Sequence, residues 1–492
     1  MISKYYLLRA KLSVVISSVV LLLSSFQLLA QTDKPNIVFI AVDDLNDWIG
    51  PLRGHPNVST PNIDRLAAKS ILFSNAHCQA PLCGPSRASI MTGLRPSTTG
   101  IYGMVGDDEI VIDNSPTSDI VFLPEYFKNN GYHTMGIGKL FHSHAPKNMF
   151  DESGGRAKGF GPKPENRFVW EGDAGPSYGR TSTDWGAFPE SDHLMPDYKS
   201  TQWAIERLGK DYDQPFFLAV GFLRPHVPWY VPEKWLNSFD PDLLTLPPYK
   251  LDDLDDVPPI ALEINDLPMM PTTKWAVESG EYKNIVQAYL ACVKFVDDQV
   301  GQILDAIESS RYSDNTIIVL WSDHGYRLGE KGSFAKHCLW EEATKVPLII
   351  YSPKHQSRVV DDAVELLSLY PTLVDLAELP KNESNEGLSL IPLMDGRSLD
   401  GHRYAITTFG KNNHAVRSKD FRYIVYEDGS EELYDHRIDP NEWVNEIENE
   451  NYKYVLEELR QQIPTVNANW HKNSSYDFQP YFKDQKKRFP SN

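Results

Sequence analysis

The sequence predicts an α/β fold in which a mostly parallel β-sheet is covered by helices on both faces. Two observations lead there. Continuous β-prone apolar runs, such as NIVFIAV at 36–42 and TIIVLW at 316–321, lack the polar alternation of a half-exposed strand, so each is expected to be buried on both sides. Between such runs lie stretches of helical periodicity, and alternation of strand and helix builds a parallel sheet.

Lys4, Arg9 and Lys11 precede an apolar run at 12–29 that closes on Ala30, the pattern of a secretory signal peptide over residues 1–30. Six polar residues (Ser13, Ser17, Ser18, Ser24, Ser25 and Gln27) weaken the rival reading of a stable membrane span. A strand at 36–42 is followed by a helix around 61–69. The pattern then repeats as LPEYFKNNG (123–131) with HTMGIGK (133–139), and STQWAIERLGK (200–210) with PFFLAVGF (215–222). Between 145 and 197 the chain is rich in Gly, Pro and polar residues and reads as long loops near a site. LDDLDDVPP (251–259) fits no EF-hand spacing and reads as a solvated acidic loop. A long helix at 282–309 leads to the strand NTIIVLWSD (315–323), then VPLIIYS (346–352) and a helix within 364–379. From about residue 400 the texture changes to short strand-like pieces, YAITTFG, HAVRSKD, FRYIVYE and EELYDH, with a helix near 452–462. These predict a small antiparallel sheet, dividing the chain into 1–30, a catalytic α/β domain at 31–399 and a C-terminal subdomain at 400–492.

Composition narrows the function. With 48 Lys+Arg against 67 Asp+Glu the chain carries a net charge of -19, which becomes -22 once the three N-terminal cations are removed. So acidic a chain makes a poor binder of nucleic acid or anionic membrane. An anionic substrate would need positive charge gathered in one pocket. Four cysteines in 492 residues exclude a disulfide scaffold, and Cys292 and Cys338 are free to pair or to stay buried.

Open α/β sheets bind ligands at the carboxyl ends of their strands. The residues just beyond each predicted strand are chemically consistent: Asp43 and Asp44; Lys139 with His142; Arg224 with His226; Asp323 with His324. Three carboxylates and an imidazole (Asp43, Asp44, Asp323, His324) form a hard, oxygen-rich set that suits Ca²⁺ or Mg²⁺ better than zinc. Lys139, His142, Arg224, His226 and Lys336 would bind an anion and move protons. In CGPSRASIMTG (83–93), Pro85 suits the first turn of a helix and Gly93 its end. Cys83 then lies at a helix N-terminus that favours anions and a lowered thiol pKa, the setting of a nucleophile, with a disulfide to Cys78 as the alternative.

The segment CGPSRASIMTG resembles the C-x-P-S-R-x-x-x-[LM]-T-G signature of type I sulfatases, in which the cysteine is oxidised to formylglycine. The resemblance extends through AVDDLNDW, GIGKLFH, GFLRPHVPW and SDHGYRLGEKGSFAKH, and in pattern is closest to the iduronate-2-sulfatase branch. It implies an alkaline-phosphatase-like fold and one Ca²⁺ held by Asp43, Asp44, Asp323, His324 and the modified residue 83 (3-oxoalanine). Hydrated to a gem-diol, that residue would attack sulfur. His226 with Lys336 would protonate the leaving oxygen. His142, with Lys139 and with Arg87 holding residue 83, would take the second hydroxyl proton and expel sulfate. The resemblance also implies a maturation enzyme that generates the formylglycine, and a sulfated oligo- or polysaccharide as substrate. Arg224, Trp229, Arg327 and His337 are the candidate contacts to a uronate, joined by residues of the C-terminal sheet. The alternatives are a phosphomonoesterase or phosphonate hydrolase of the same superfamily, or a glycan-binding pseudoenzyme with Cys83 unconverted.

Overall fold

A computed structural model of the chain describes residues 34–112, 115–172, 181–397 and 403–491. The expected signal peptide lies outside these residues.

The main sheet has eight strands: β1 (Asn36–Asp43), β2 (Ile71–Phe73), β3 (His133–Gly138), β4 (Glu152–Gly155), β5 (Phe216–Pro225), β6 (Thr316–Ser322), β7 (Leu348–Tyr351) and β8 (Arg358–Val360), in the order β8-β2-β7-β6-β1-β5-β3-β4. β1 pairs in parallel with both β5 and β6, so two long apolar runs flank the sheet's central strand. Only β7 runs against its neighbours within this sheet, antiparallel to β6 and β2. Its sequence VPLIIYS reads like any buried strand, because burial on both faces gives the same apolar run in either direction.

Alternate residues of the central strands enter two different cores, as the period of two requires. Val38, Ile40, Leu218, Val220, Ile318 and Leu320 pack against α1 (Pro61–Ala68), α2 (Pro196–Leu208) and α3 (Tyr282–Glu308). Ile37, Phe39, Phe217, Ala219, Ile317 and Val319 face the other way, onto α4 (Cys83–Thr92), α5 (Leu123–Asn129) and α6 (Leu369–Leu376). The sheet is thus the middle of three layers, and each fully buried Ile, Val, Leu or Phe contributes about 1.5–3 kcal/mol.

A second, antiparallel sheet is made of β9 (Ala405–Thr408), β10 (His414–Arg417), β11 (Phe421–Val425) and β12 (Glu431–Asp435). Val416, Tyr423 and Leu433 on one face pack on α7 (Lys453–Arg460), while Ala415, Ile424 and Tyr434 on the other join Leu82, Tyr102 and Trp340. A last helix, α8 (Pro480–Arg488), unanticipated from the sequence, adds Tyr481 and Phe482 to that shared core.

Two loop expectations change. The 145–197 stretch contains the edge strand β4 and a short strand Trp185–Ala187 that pairs with Trp229–Val231. In 251–259, Asp252, Asp255 and Asp256 are not buried, but Asp253 is, held by the Lys331 ammonium at 2.8 Å. All four cysteines are free and buried, so neither Cys78–Cys83 nor Cys292–Cys338 forms a bridge. Among the described residues no helix is long and apolar enough to cross a membrane.

Candidate active site

The carboxyl ends of β1, β3, β5 and β6 converge on one point. Successive strand residues normally face opposite sides, yet Asp43 and Asp44 both reach it. The reason is local: the β1–β5 register slips after Val42, and Asp44 takes a left-handed backbone, φ 61. Such a conformation in a non-glycine residue is held by its surroundings and concentrates at functional sites. Gly138, at φ 81, ends β3 where a Cβ would strike the Gly221 carbonyl, so only glycine lets Lys139 enter alongside β5.

Asp43, Asp44 and Asp323 have no exposed surface. The Lys139 ammonium is paired with Asp43, and Lys336 lies 2.6 Å from Asp44 Oδ1. Arg87 spans the other side, with Nε 2.8 Å from Asp323 Oδ2 and Nη2 3.3 Å from Asp43 Oδ1. Its hydrogen bonds go to the carboxylates and to the carbonyls of Lys139 and Leu140. Burial would raise the Asp43 carboxyl, but Lys139, His226 and Arg87 outweigh it and hold the group well below the usual carboxylate range. Burial, reinforced by the neighbouring Asp43 charge, pushes Asp44 up to about 7 against the pull of Lys336.

The donor atoms of Asp43, Cys83, Asp323 and His324 lie within 4.8 Å of one another, as do those of Asp43, Asp44, Cys83 and His226. Atoms this close can share one ion, since calcium takes its oxygen ligands at about 2.3–2.6 Å. Asp44 Oδ2 is buried without a hydrogen-bond partner, an acceptor that a cation would satisfy. The residues present fit a hard divalent ion.

Cys83 opens α4, and Ser86 in its first turn donates from Oγ to the Asp323 carbonyl at 2.5 Å, tying the helix start to the end of β6. The Cys83 Sγ lies 3.1 Å from Lys336 Nζ, 3.2 Å from His324 Nε2 and 3.5 Å from Lys139 Nζ. Burial and Asp43 oppose ionisation, but Lys139 and Lys336 prevail and the thiol is drawn below its ordinary value. His142 is lowered to about 3 by burial and Lys139, so it is a neutral base with Nδ1 unpartnered. His226 donates from Nδ1 to the Val227 carbonyl at 2.6 Å, which turns Nε2 toward Asp44 Oδ2, 3.9 Å away. Burial and Lys336 hold its pKa well below the usual value.

Of these groups Asp44, Cys83, His142, His226 and Lys336 line a cavity of about 550 Å³, together with Phe160, Lys163, Met269, Met270, Tyr476 and Phe478. The sulfatase family profile matches residues 35–379. The chain belongs to the sulfatase family. Residues 329–469 also match the C-terminal region of N-sulphoglucosamine sulphohydrolase. A sulfatase of Formosa agariphila is 59% identical over 469 residues, 94% of this chain and 92% of its own. Human iduronate 2-sulfatase is 34% identical over 412 residues, 75% of this chain and 74% of its own. The solved phosphonate monoester hydrolase of Agrobacterium radiobacter has the same fold at TM-score 0.67 and 21% identity, covering 87% of this chain and 96% of its own. Fold alone therefore does not choose the ester; the sequence relatives do, and the enzyme is a sulfuric ester hydrolase.

The ten residues carried by the sulfatase motifs, Asp43, Asp44, Cys83, Arg87, Lys139, His142, His226, Asp323, His324 and Lys336, come together. Three of the four candidate substrate contacts do not join them. Arg224 is buried and donates from Nε and Nη1 to the carbonyls of Tyr230, Phe160 and His226, while its Nη2 has no hydrogen-bond partner among the described residues. Arg327 is likewise buried and bonds Asn265 and the Ala335 carbonyl. Trp229 is buried against Tyr289 and Tyr326. Only His337 reaches the cavity, stacked on Tyr476 at 5.4 Å. The C-terminal contribution comes not from the sheet but from 475–478, which an antiparallel bridge between Ser475 and Met104 docks beside the site. Nothing in the sequence marks Phe160, Tyr476 or Phe478, since irregular loops carry no periodicity.

Proposed function

We propose that this sulfatase is exported, with residues 1–30 as its signal peptide, 31–399 as the catalytic domain and 400–492 as a C-terminal subdomain, and that it removes sulfate from a sulfated glycan, taking 2-O-sulfates of uronic-acid-containing polysaccharide. The observation that carries the reading is Cys83 at the floor of the cavity, flanked by Lys336, His324 and Lys139 at 3.1–3.5 Å. The likeness to iduronate 2-sulfatase supports the uronate. An external maturation enzyme converts Cys83 to formylglycine, and Asp43, Asp44, Asp323, His324 and residue 83 hold one Ca²⁺. The ion supplies Lewis-acid polarisation, and the formylglycine supplies a nucleophile with a second hydroxyl for releasing sulfate.

The chain's own residues do the rest. Arg87, Lys139 and Lys336 fix the three carboxylates and offset their charge, so that an anionic ester can enter. His226, with Lys336, gives a proton to the leaving oxygen. The negative charge of a seated sulfate ester opposes the two lysines that hold His226 neutral, which favours its proton at that moment. His142, neutral and unpartnered at Nδ1, takes the proton whose loss releases sulfate. Lys139 and Lys336 occupy the Asp43 and Asp44 oxygens that a second metal would need, which favours a sulfate monoester over the more highly charged phosphate monoester.

Intact mass and activity on a panel of defined sulfated oligosaccharides test the reading together with a side-by-side assay of nitrophenyl sulfate and phosphate. A mass shift at residue 83 matching replacement of the thiol by an aldehyde, with turnover of a 2-O-sulfated uronate, is expected. An unconverted cysteine would mean a glycan-binding pseudoenzyme, and preference for phosphate a phosphatase.

A further inference from the structure

Phe160 lies in an irregular loop, but its position is set from several directions. The glycines on either side, Gly159 and Gly161, hold left-handed backbones at φ 64 and 94 that other residues adopt at a cost. The Phe160 carbonyl accepts from Arg224 Nη1 at 3.0 Å, and the same Nη1 donates to the His226 carbonyl at 3.2 Å. One buried guanidinium thus ties the two backbones together. Above that tie the rings lie flat on each other, centroids 4.1 Å apart and planes 8° from parallel. Lys139 Nζ stands 5.2 Å from the Phe160 centroid, so the ring also closes the Lys139 side of the site.

The His226 imidazole has one hydrogen bond, from Nδ1 to the Val227 carbonyl, which leaves it free to tilt about that bond. A flat ring at stacking distance removes the tilt and fixes where Nε2 points. We propose that Phe160 is a positioning residue: by stacking on His226 it holds Nε2 against the leaving oxygen of the ester, and Arg224 is the strut that keeps the two rings in register. The proposal rests on His226 acting as the proton donor. As the bond from sulfur to the leaving oxygen breaks, its electron pair goes to that oxygen, and the Nε2 proton of the imidazolium, taken up as the ester binds, passes to it and leaves the neutral Nδ1–H tautomer. A nitrophenolate is stable without that proton; an alkoxide or an unactivated phenolate is not. Misplacing the donor therefore penalises poor leaving groups selectively.

The test uses the matured, metal-loaded enzyme on aryl sulfates graded from 4-nitrophenyl sulfate to unactivated phenyl sulfate. With Phe160→Ala, kcat on the unactivated ester should fall roughly 10- to 100-fold, the scale of a donor displaced by about an ångström. On 4-nitrophenyl sulfate kcat should fall less than about threefold, with KM little changed on both, because a lost proton transfer alone is worth about 10²–10⁴-fold only where the proton is needed. Phe160→Tyr should restore the ratio, and His226→Gln should give the same selective loss, with no further loss when combined with Phe160→Ala. Equal loss on all esters, or a raised KM with unchanged kcat, would overturn the positioning role and make Phe160 a structural or substrate-stacking residue. If His226→Gln itself loses activity evenly, the donor assignment fails and the proposal with it. If it loses selectively while Phe160→Ala does not, only the proposal fails. Should Phe160→Ala not accumulate, Phe160→Leu keeps the bulk without the flat face and is read by the same ratio.

Discussion

Cys83 has two ammonium groups, Lys139 and Lys336, beside its sulfur in a place with little access to water. The thiol position offers a sharp test of what chemistry the site performs. Cys83→Ala should remove turnover while leaving fold and metal content intact. Cys83→Ser should stall as a stoichiometric sulfated adduct at position 83 in intact mass, because its single hydroxyl can attack sulfur but leaves no second hydroxyl to expel sulfate. Sustained turnover by that variant would mean direct hydrolysis at sulfur. Asp43 and Asp323 test the metal. Each →Ala change should abolish turnover and remove the rise in melting temperature that added Ca²⁺ gives the parent, a rise worth ~2.7 kcal/mol when calcium stands at a hundred times its dissociation constant. Metal analysis returning two zinc ions per chain would contradict the assignment. The motif residues were legible from their order along the chain because most lie just beyond a strand end. That Arg224, Arg327 and Trp229 lie outside the cavity lining was not, because a charged or aromatic residue beside a motif looks the same whether it lines the cavity or braces it.

At the scale of the element, the ends of β1, β3 and β5 decide whether the site exists. The left-handed turn at Asp44 puts two consecutive carboxylates on one side, and the Gly138–Gly221 approach lets Lys139 reach Asp43. Gly138→Ala is expected to lose about 1–2 kcal/mol from the left-handed backbone alone, plus the collision with the Gly221 carbonyl. Activity should fall further than stability, since Lys139 moves with the strand end. Chemical denaturation beside kcat on nitrophenyl sulfate checks both. The strands were readable because a strand buried on both faces leaves an unbroken apolar run. The direction of β7 was not, because parallel and antiparallel neighbours ask for the same side chains.

At the scale of the whole molecule, the C-terminal sheet is locked to the catalytic core by a buried ionic network. Glu341 pairs with Arg417 at 3.0 Å and with Arg422, and Arg422 Nε lies 2.7 Å from Glu442, which His436 also meets at 3.0 Å. Burial would raise the Glu341 carboxyl, but Arg417, His436 and Arg422 hold it well below the usual range, and Glu442 is lowered against burial by Arg422 and His436. A depressed carboxylate contributes stability that is full above its unfolded value, about 4.3 for Glu, and is lost as pH falls through the folded value. Melting temperature should therefore drop steeply on acidification below that unfolded value. Glu341→Gln should flatten the drop while costing about 3–5 kcal/mol near neutral pH, because it strands buried arginines. An acid limb of the same steepness in the variant would assign the pH dependence to other carboxylates.

The sequence by itself determined the layered fold, the small second sheet, the cluster of ten site residues and the kind of chemistry they support. Each of these rests on local information: the period of apolar residues, the residue types at strand ends, a long motif around Cys83. Only the tertiary structure decided that Asp43 and Asp44 face the same way, that walls of the cavity come from the 159–163 and 475–478 segments, and that Arg224 ties the Phe160 and His226 carbonyls together. Those features depend on which distant segments come to share a surface, and irregular backbone carries no periodic signal of its neighbours. A guanidinium that ties two backbone carbonyls together and one that lines a cavity are the same residue until the chain has folded.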